Sequence, residues 1–168
     1  MVFTAGILTV SDKGSRGERE DTSGPALKDI LESAGFSVER YEIVPDDQDR
    51  IRDTLIAWSD LHRLNLILTT GGTGFAPRDR TPEATAEAID RAAPGISEAI
   101  RFFGLQKTPR AMLSRGVSGA RGRTLIINLP GSERGARESI EAVLSSLPHA
   151  LELLSGQGGE CGTDARKG

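Results

Sequence analysis

The feature that most constrains this chain is a stretch in which an apolar run leads into a glycine-rich loop and then into the start of a helix. Residues 66–68 (Leu-Ile-Leu) have the continuous apolar character of a strand buried on both faces. Residues 71–74 (Gly-Gly-Thr-Gly) can adopt backbone angles that are closed to most other residues. Thr81 is suited to cap a helix that has Pro82 at its first position. This order predicts the ligand-binding edge of an open α/β sheet.

The composition of the loop narrows the class of ligand. Successive N–H groups without intervening side chains can face a phosphate, and Arg78 and Arg80 add positive charge. Asp79 between them is a carboxylate suited to magnesium. The dinucleotide fingerprint fails because Pro77 stands where a third glycine is needed, and the P-loop pattern fails because no Gly-Lys-Ser/Thr follows. A glycine-rich surface turn is the alternative that the loop alone leaves open.

Length and composition favour one globular domain. Of the 168 residues, we expect residues 1–155 to form the domain and the apolar-poor residues 156–168 to be a disordered tail. A net charge of −3 and an aromatic content of 4% argue against nucleic-acid binding. No run approaches the roughly 20 apolar residues of a membrane span, and no signal peptide is visible. With Cys161 as the single cysteine, a reducing cytoplasm fits best.

Strand patterns alternate with helical periodicities along the chain. The helix that begins at Thr81 is expected to reach Ala93, and Pro148 should kink or split the last helix. The run at residues 111–120 is expected to pair antiparallel with the strand at 123–129 through a tight turn at Arg121 and Gly122. The alternation predicts an α/β three-layer sandwich with a mostly parallel central sheet and one antiparallel strand.

Acidic side chains follow three of the predicted strands. Because ligands bind at the carboxyl ends of parallel strands, Asp12, Asp46 and Asp79 could converge on one cleft. On local grounds alone, however, Asp46 is preferred as a helix N-cap, and Asp12 is equally explained as a turn residue. Residues 130–132 (Pro-Gly-Ser) repeat the arrangement of strand, glycine turn and helix cap. Carboxylates with backbone amides, and no nucleophile–base pair, suit magnesium-assisted phosphoryl or nucleotidyl transfer.

Five motifs resemble, in their order along the chain, those of the MogA/MoaB family of molybdenum-cofactor proteins. The resemblance covers about residues 5–155, and the last two motifs are most similar to the molybdopterin adenylyltransferases, including the plant and gephyrin G domains. The motifs are residues 9–12 (Thr-Val-Ser-Asp), 44–47 (Val-Pro-Asp-Asp), 69–85 around the glycine loop, 111–115 (Ala-Met-Leu-Ser-Arg) and 124–131 (Thr-Leu-Ile-Ile-Asn-Leu-Pro-Gly).

The resemblance implies an activity and a set of site residues. It implies magnesium-dependent transfer of AMP from ATP to molybdopterin with release of pyrophosphate, by a homotrimer with a downstream molybdenum-insertion protein as a possible partner. It makes Asp46 and Asp79 catalytic residues and magnesium ligands, which overrides the local preference for Asp46 as a cap. Ser114 is placed in the pterin pocket. The other candidate substrate-binding residues are Ser11, Asp12, Thr70, Gly71, Gly72, Thr73, Gly74, Thr81, Arg115, Asn128, Pro130, Gly131 and Ser132.

The competence-damage proteins carry a related domain with other chemistry, and the motifs of this sequence lean against it. Two other functions stay open from the sequence. The first is a MoaB-type protein that binds molybdopterin without adenylylating it, which predicts pterin binding without pyrophosphate release. The second is a trimeric scaffold whose assembly matters more than its pocket, which predicts an occluded cleft.

Overall fold

A computed structural model describes residues 1–156, and the expected disordered tail falls outside this range apart from its first residue, Gly156. The strands are β1 (Thr4–Val10), β2 (Ser37–Val44), β3 (Leu66–Thr70), β4 (Arg91–Ala92), β5 (Ser118–Arg121) and β6 (Thr124–Leu129). The helices are α1 (Asp12–Ser15), α2 (Ser23–Ser33), α3 (Gln48–Asp60), α4 (Thr81–Ala88), α5 (Pro94–Leu105), α6 (Glu133–Val143) and α7 (Leu147–Ser155). Short 3-10 turns cover Pro109–Leu113 and Leu144–Ser146.

The six strands form one sheet in the order β2-β1-β3-β6-β5-β4. The first four are parallel to one another, and β5 runs antiparallel to both of its neighbours. Arg121 pairs with Thr124, so Gly122 and Arg123 form a two-residue hairpin loop in which Gly122 has a φ of 53°. The predicted mostly parallel sheet with one antiparallel strand is therefore confirmed.

Two hydrophobic clusters cover the two faces of the sheet. Ile7, Leu66 and Leu68 pack in the cluster that includes α2, α5, α6 and α7, whereas Leu8 and Ile67 pack in the cluster that includes α3 and α4. Successive strand residues point to opposite faces, so a strand covered on both sides needs apolar residues at every position. This requirement explains the continuous apolar run that precedes the glycine loop.

Two secondary-structure predictions were wrong. The helix that begins at Thr81 ends at Ala88, and Arg91–Ala92 form strand β4 on β5. Pro94 disfavours helical geometry in the residue before it, and Ile89 is already extended, with a ψ of 149°. Within residues 111–120, only the last three residues belong to a strand, because the 3-10 turn from Pro109 extends to Leu113.

The last helix is divided as predicted. Helix α6 ends at Val143, and α7 begins at Leu147 with Pro148 in its first turn, where its missing N–H leaves no hydrogen bond unmade. Helix α7 ends at Ser155 and is followed by Gly156, whose φ of 79° suits a left-handed cap. Between residues 1 and 156, no helix is both long and apolar enough to cross a bilayer.

The turn after β3 depends on a glycine without a side chain. Gly71 has a φ of 103°, and a Cβ atom on it would press against the carbonyl oxygen of Val10 in the neighbouring strand. Gly17 also has a positive φ, of 73°, but a Cβ atom there would meet open space. An alanine at Gly17 would therefore suffer backbone strain alone, whereas an alanine at Gly71 would suffer backbone strain and a steric clash.

We expect Gly71→Ala to destabilise the protein clearly more than Gly17→Ala. Left-handed geometry costs a non-glycine residue about 1–2 kcal/mol, which is the loss expected for Gly17→Ala, and the contact with Val10 adds to it at Gly71. Urea denaturation measures both free energies of unfolding. Equal losses in the two variants would contradict the close approach of Gly71 to β1.

Candidate active site

Two cavities lie side by side at the carboxyl ends of the parallel strands. The first, which we call the carboxylate cavity, has a volume of about 430 Å³ and is lined by Asp46, Asp79 and the first residues of the glycine loop. The second, the serine cavity, has a volume of about 320 Å³ and is lined by Ser114, Pro130 and residues of α5 and α6. Ser132 lines both cavities, so the two are adjacent.

A reciprocal pair of hydrogen bonds joins the loops that follow β1 and β2. The N–H of Asp12 donates to Oδ2 of Asp46 at 2.9 Å, and the N–H of Asp46 donates to Oδ1 of Asp12 at 3.0 Å. Arg78 adds the loop that follows β3, because its Nε and Nη2 donate to the two carboxylate oxygens of Asp12 at 2.9 and 2.8 Å. One aspartate pair and one arginine thus hold three loops together.

The carboxylate of Asp46 is directed to the site and does not cap α3. Asp47 is the cap, and its carboxylate accepts from the N–H of Arg50 at 2.8 Å. The local preference for Asp46 as a cap was therefore wrong. Burial, with the negative charges of Asp12 and Asp79, raises the pKa of Asp46. The charged form of Asp46 is thus held at a cost that a bound cation would offset.

Asp12 connects the loops of the site through its hydrogen bonds and does not form part of a cavity wall. The hydrogen bonds from Arg78 lower the pKa of Asp12, so its carboxylate stays ionised. It does not line either cavity, in contrast to the expectation that it binds substrate. Ser11 does line the carboxylate cavity, and its Oγ accepts from the N–H of Gly14 at 3.0 Å.

Asp79 is fixed by a tight turn within its own loop. Its N–H donates to the carbonyl of Ala76 at 2.9 Å, and its Oδ2 accepts from the N–H of Ala76 at 2.9 Å. Asp79 and Asp46 line the same cavity, although 33 positions separate them in the sequence. The convergence that parallel-strand topology suggested is present.

The glycine loop presents three main-chain donors instead of the expected four. The N–H of Gly71 donates to the carbonyl of Leu129 at 3.2 Å, which continues the pairing of β3 with β6. The next three N–H groups, those of Gly72, Thr73 and Gly74, make no hydrogen bond with residues 1–156. These three groups are the ones available to an anionic ligand.

Thr81 supports the loop from behind and is not a helix cap. The N-cap position of α4 is taken by Arg80, and Thr81 is fully buried. Its Oγ1 donates to the carbonyl of Gly71 at 2.9 Å, and its N–H donates to the carbonyl of Gly72 at 3.1 Å. The prediction that Thr81 caps the helix was therefore wrong, and its burial gives no support to the prediction that it binds substrate.

The turn after β6 packs against the turn after β3. The Oγ1 of Thr70 donates to the carbonyl of Pro130 at 2.7 Å, and a Cβ atom on Gly131 would lie 3.2 Å from the Cα of Gly71. Ser132 caps α6, and its Oγ accepts from the N–H of Gly135 at 3.1 Å. A second helix N-terminus therefore borders both cavities, as the repeated motif suggested.

Asn128 is part of the core and lines neither cavity. It is 3% exposed, and its Nδ2 donates to the hydroxyls of Thr69 and Thr85, both at 2.9 Å. Its Oδ1 accepts from the N–H of Val117 at 3.1 Å. Because both side-chain N–H donors are used internally, the position of Asn128 gives no support to the prediction that it binds substrate. It ties β6 to β3, to α4 and to the segment that precedes β5.

Ser114 and Arg115 are adjacent in sequence but have different surroundings. Ser114 lines the serine cavity, and Arg101 holds its segment by donating to the carbonyls of Ser114 and Gly116 at 3.3 and 2.9 Å. Arg115 lines neither cavity, and its guanidinium makes an ion pair with Glu83. The expectation that Arg115 binds substrate is therefore not supported by its position.

Asp21 also lines the carboxylate cavity and is not among the residues predicted for the site. Its Oδ2 accepts from the hydroxyls of Thr9 and Tyr41, both at 2.6 Å, and its Oδ1 accepts from the N–H groups of Ser23 and Gly24, both at 3.1 Å. Burial and the hydrogen bond to Asp21 raise the pKa of Tyr41. An aspartate shortly before a helix start is a capping signal, which is the pattern that could have drawn attention to it.

The acidic residues of the site can hold a hard cation with the help of a ligand. Across residues 1–156, no group of three His, Cys, Asp or Glu side chains is arranged to hold a metal ion. Asp46 and Asp79 line one cavity beside free main-chain N–H groups. Magnesium commonly binds through one or two carboxylates together with substrate phosphates and water, so this donor set fits it.

We expect Asp46→Asn to keep or raise the thermal stability at neutral pH. The pKa of Asp46 is higher in the folded state than in the unfolded state. As the pH rises through these two pKa values, ionisation of Asp46 therefore lowers the stability of the wild type, and below both values it has no effect. The Tm of the variant relative to the wild type should therefore increase between about pH 3 and pH 7. Differential scanning calorimetry across this range measures it, and a relative Tm that falls with pH would contradict the assignment.

Comparison with known proteins finds relatives that match most of the chain. The family profile described as "Probable molybdopterin binding domain" matches residues 6–149. A molybdopterin adenylyltransferase of Helicobacter pylori J99 is 42% identical over 90% of this chain and 87% of its own length. Drosophila melanogaster molybdenum cofactor synthesis protein cinnamon is 43% identical over 90% of this chain, which spans only 26% of cinnamon.

The crystal structure of a molybdopterin biosynthesis enzyme MoaB from Thermus thermophilus superimposes with a TM-score of 0.89, at 60% identity, over 94% of this chain and 99% of that one. The family profile, the sequence relatives and the superposition lead to one conclusion: this chain belongs to the molybdopterin-binding domain family of the MogA and MoaB proteins.

Proposed function

We propose that this protein is a molybdopterin adenylyltransferase of molybdenum-cofactor biosynthesis, which transfers AMP from ATP to molybdopterin and releases pyrophosphate. The observation that carries the proposal is the shared cavity of Asp46 and Asp79, which continues into a second cavity at Ser132. A transfer between two substrates needs two adjacent sites whose reacting groups meet. The high similarity to a protein named molybdopterin adenylyltransferase supports the same reaction.

The two cavities differ in a way that suits the two substrates. The serine cavity has apolar walls from Ile100 and Leu113, together with Ser114, and suits a flat heterocycle such as a pterin. The carboxylate cavity is polar and is lined by Gly72, whose N–H group is free, while Thr73 and Gly74, whose N–H groups are also free, line the serine cavity. The three N–H groups therefore lie where the two cavities adjoin, which suits the phosphates of ATP. The nucleotide and the pterin phosphate would then meet near Ser132.

The reaction needs little from protein side chains apart from position and charge. An oxygen of the terminal phosphate of molybdopterin attacks the α-phosphorus of ATP, the bond from that phosphorus to the bridging oxygen breaks, and pyrophosphate leaves with the electron pair. The attacking phosphate is already ionised near neutral pH, so a strong general base is not required. The free N–H groups of residues 72–74 would hold the nucleotide phosphates in line with the attacking oxygen.

The charge of the carboxylate cavity favours a metal-bound nucleotide. Among residues 1–156, its walls include four acidic residues, Glu20, Asp21, Asp46 and Asp79, and one cationic residue, Arg19. A bare triphosphate would be repelled by this excess of negative charge. Asp46 and Asp79 would hold magnesium, which supplies positive charge to the phosphate oxygens as the transition state forms.

A MoaB-type protein that binds molybdopterin without adenylylating it is the second candidate. The observation that favours it is the 60% identity to a protein named MoaB. This candidate predicts that molybdopterin binds and that ATP with magnesium releases no pyrophosphate. The activity assay below therefore decides between the two.

We further propose a homotrimer in the cytoplasm that passes its product to a molybdenum-insertion protein. Two adjacent aromatic side chains on α5 support assembly: Phe102 and Phe103 are 62% and 44% exposed and contact each other edge to face. Light scattering at micromolar concentration should give three times the 17.9 kDa mass of one chain. A mass of 17.9 kDa would contradict the trimer.

The activity prediction is that the protein converts molybdopterin to its adenylylated form with ATP and magnesium. Asp79→Asn should lower the rate by more than about 100-fold, since even outer-shell partners of metals are worth about 10–100-fold. Product is measured by chromatography and pyrophosphate by a coupled assay. The matched control is Asp53→Asn on the exposed face of α3, which should retain full activity. Normal activity and normal magnesium dependence in Asp79→Asn would remove Asp79 from the mechanism.

A further inference from the structure

We infer that Arg115 is a positioning residue that holds the loop of Asp79 in its working geometry and does not contact substrate. The inference rests on the proposed function insofar as Asp79 has a role in holding the cation. It concerns the segment between Thr73 and Glu83, which leaves the sheet after β3 and returns to it through α4. Arg115 contacts this segment at four separated points.

The contacts of Arg115 run along the whole segment. Its main-chain N–H donates to the carbonyl of Thr73 at 2.8 Å, and its Nε donates to the carbonyl of Gly74 at 2.6 Å. Its Nη2 donates to the carbonyl of Asp79 at 2.7 Å. Its Nη1 makes the ion pair with Glu83 in the first turn of α4. The two ends of the loop and the main chain of Asp79 are therefore held by one residue, through its main-chain N–H at Thr73 and its guanidinium at the other three points.

An arginine is required for this set of partners. The guanidinium is planar and presents donors in a fixed fork, so it can satisfy two carbonyls and a carboxylate that lie in different directions. A lysine has one ammonium on a flexible stem and cannot reach all three acceptors together. The guanidinium carbon of Arg115 also lies 5.8 Å from the ring centroid of Phe75, which adds a cation–π contact within the same loop.

The alternative role, a phosphate-binding arginine, conflicts with the position of Arg115. Its side chain is 30% exposed, its donors are used by Gly74, Asp79 and Glu83, and it does not line the carboxylate or the serine cavity. The ion pair also lowers the pKa of Glu83, so the partner carboxylate stays charged at neutral pH. These contacts use four of the five N–H donors of the guanidinium, so a phosphate could be held by two donors only if at least one of the contacts were broken.

These contacts fix the position of the turn that contains Asp79. Asp79 keeps its carboxylate beside Asp46 only if the turn that contains it is anchored, and Arg78 anchors this turn to Asp12 on one side. Arg115 anchors it on the other side through the carbonyl of Asp79. Loss of the Arg115 guanidinium should therefore loosen one cation ligand and the nearby wall of the serine cavity at Gly74, and leave the walls from α5 and α6 in place.

The test compares Arg115→Lys and Glu83→Gln with the matched control Arg121→Gln. Arg121 has an equivalent environment far from the site, because it donates to both oxygens of Asp60 at 2.9 and 2.6 Å and to the carbonyl of Ala88 at 2.9 Å. Glu83→Gln keeps an oxygen acceptor and is the milder change, so it serves if Arg115→Lys does not fold. Three quantities are measured: the magnesium concentration for half-maximal adenylylation, amide hydrogen exchange of residues 73–83, and molybdopterin affinity without ATP.

We expect the magnesium requirement to rise by about 10–100-fold in Arg115→Lys and by less in Glu83→Gln. Amide exchange of residues 73–83 should accelerate in both variants, and molybdopterin affinity should be retained. Arg121→Gln should lose stability without a change in the magnesium requirement or in the exchange of this loop. Reduced substrate affinity with unchanged loop exchange would show that Arg115 is a substrate ligand and would overturn the inference.

The inference would also be overturned if Arg121→Gln raised the magnesium requirement, accelerated the exchange of residues 73–83 and lowered the molybdopterin affinity. Such a result would show that these quantities follow the overall stability of the protein. The amide-exchange measurement needs no catalysis. If the wild type produced no adenylylated product, the proposed function would fail, while faster exchange of residues 73–83 in Arg115→Lys and Glu83→Gln would still establish Arg115 as the anchor of the loop.

Discussion

The side-by-side pairing of β3 and β6 is the constraint on which the site depends. The two strands are parallel and in register from Leu66 with Leu125 to Thr70 with Leu129, and burial on both faces fixes that register. The pairing extends one step into the loops through the hydrogen bond from Gly71 to the carbonyl of Leu129. A turn that ended elsewhere would separate the glycine loop from the cap of α6, and the two cavities would no longer meet at Ser132.

The negative charges that are gathered at the site lower the stability of the protein. Burial and the negative charges of Asp12 and Asp79 raise the pKa of Asp46. Two arginines limit the cost: Arg78 neutralises Asp12 from an exposed position, and Arg115 secures the loop from a more buried one. The remaining negative charge is arranged for a ligand that brings positive charge with it. An acidic pocket with free main-chain donors can accept a nucleotide as a metal complex, but it repels a free triphosphate.

Contacts within one motif were predictable from the sequence, and contacts between motifs were not. The alternating strands and helices, the hairpin at Gly122 and the break at Pro148 depend on neighbouring residues, and each was predicted. Residues 46 and 47 are both aspartates that can cap α3, and the choice between them is made by the hydrogen bonds of Asp46 with Asp12, which is distant in sequence. No local pattern reveals such a partner.

Arg115 and Asn128 illustrate the same limit in the site itself. Both lie in motifs that resemble those of a ligand-binding family, and both were expected to contact substrate. The structure assigns their donors to Glu83, Thr69 and Thr85, which are 32, 59 and 43 positions away. Strand β4 was missed for a different reason, since two residues are too few to show a period of two.

The central claim is that Asp46 and Asp79 together hold a cation against the phosphates of a bound nucleotide. The most direct measurement is anomalous diffraction from crystals soaked with manganese and an ATP analogue that resists cleavage between the α- and β-phosphates. The account predicts one manganese peak between the carboxylates of Asp46 and Asp79, in contact with nucleotide phosphate oxygens beside residues 72–74. A manganese–nucleotide complex bound away from both aspartates would contradict it.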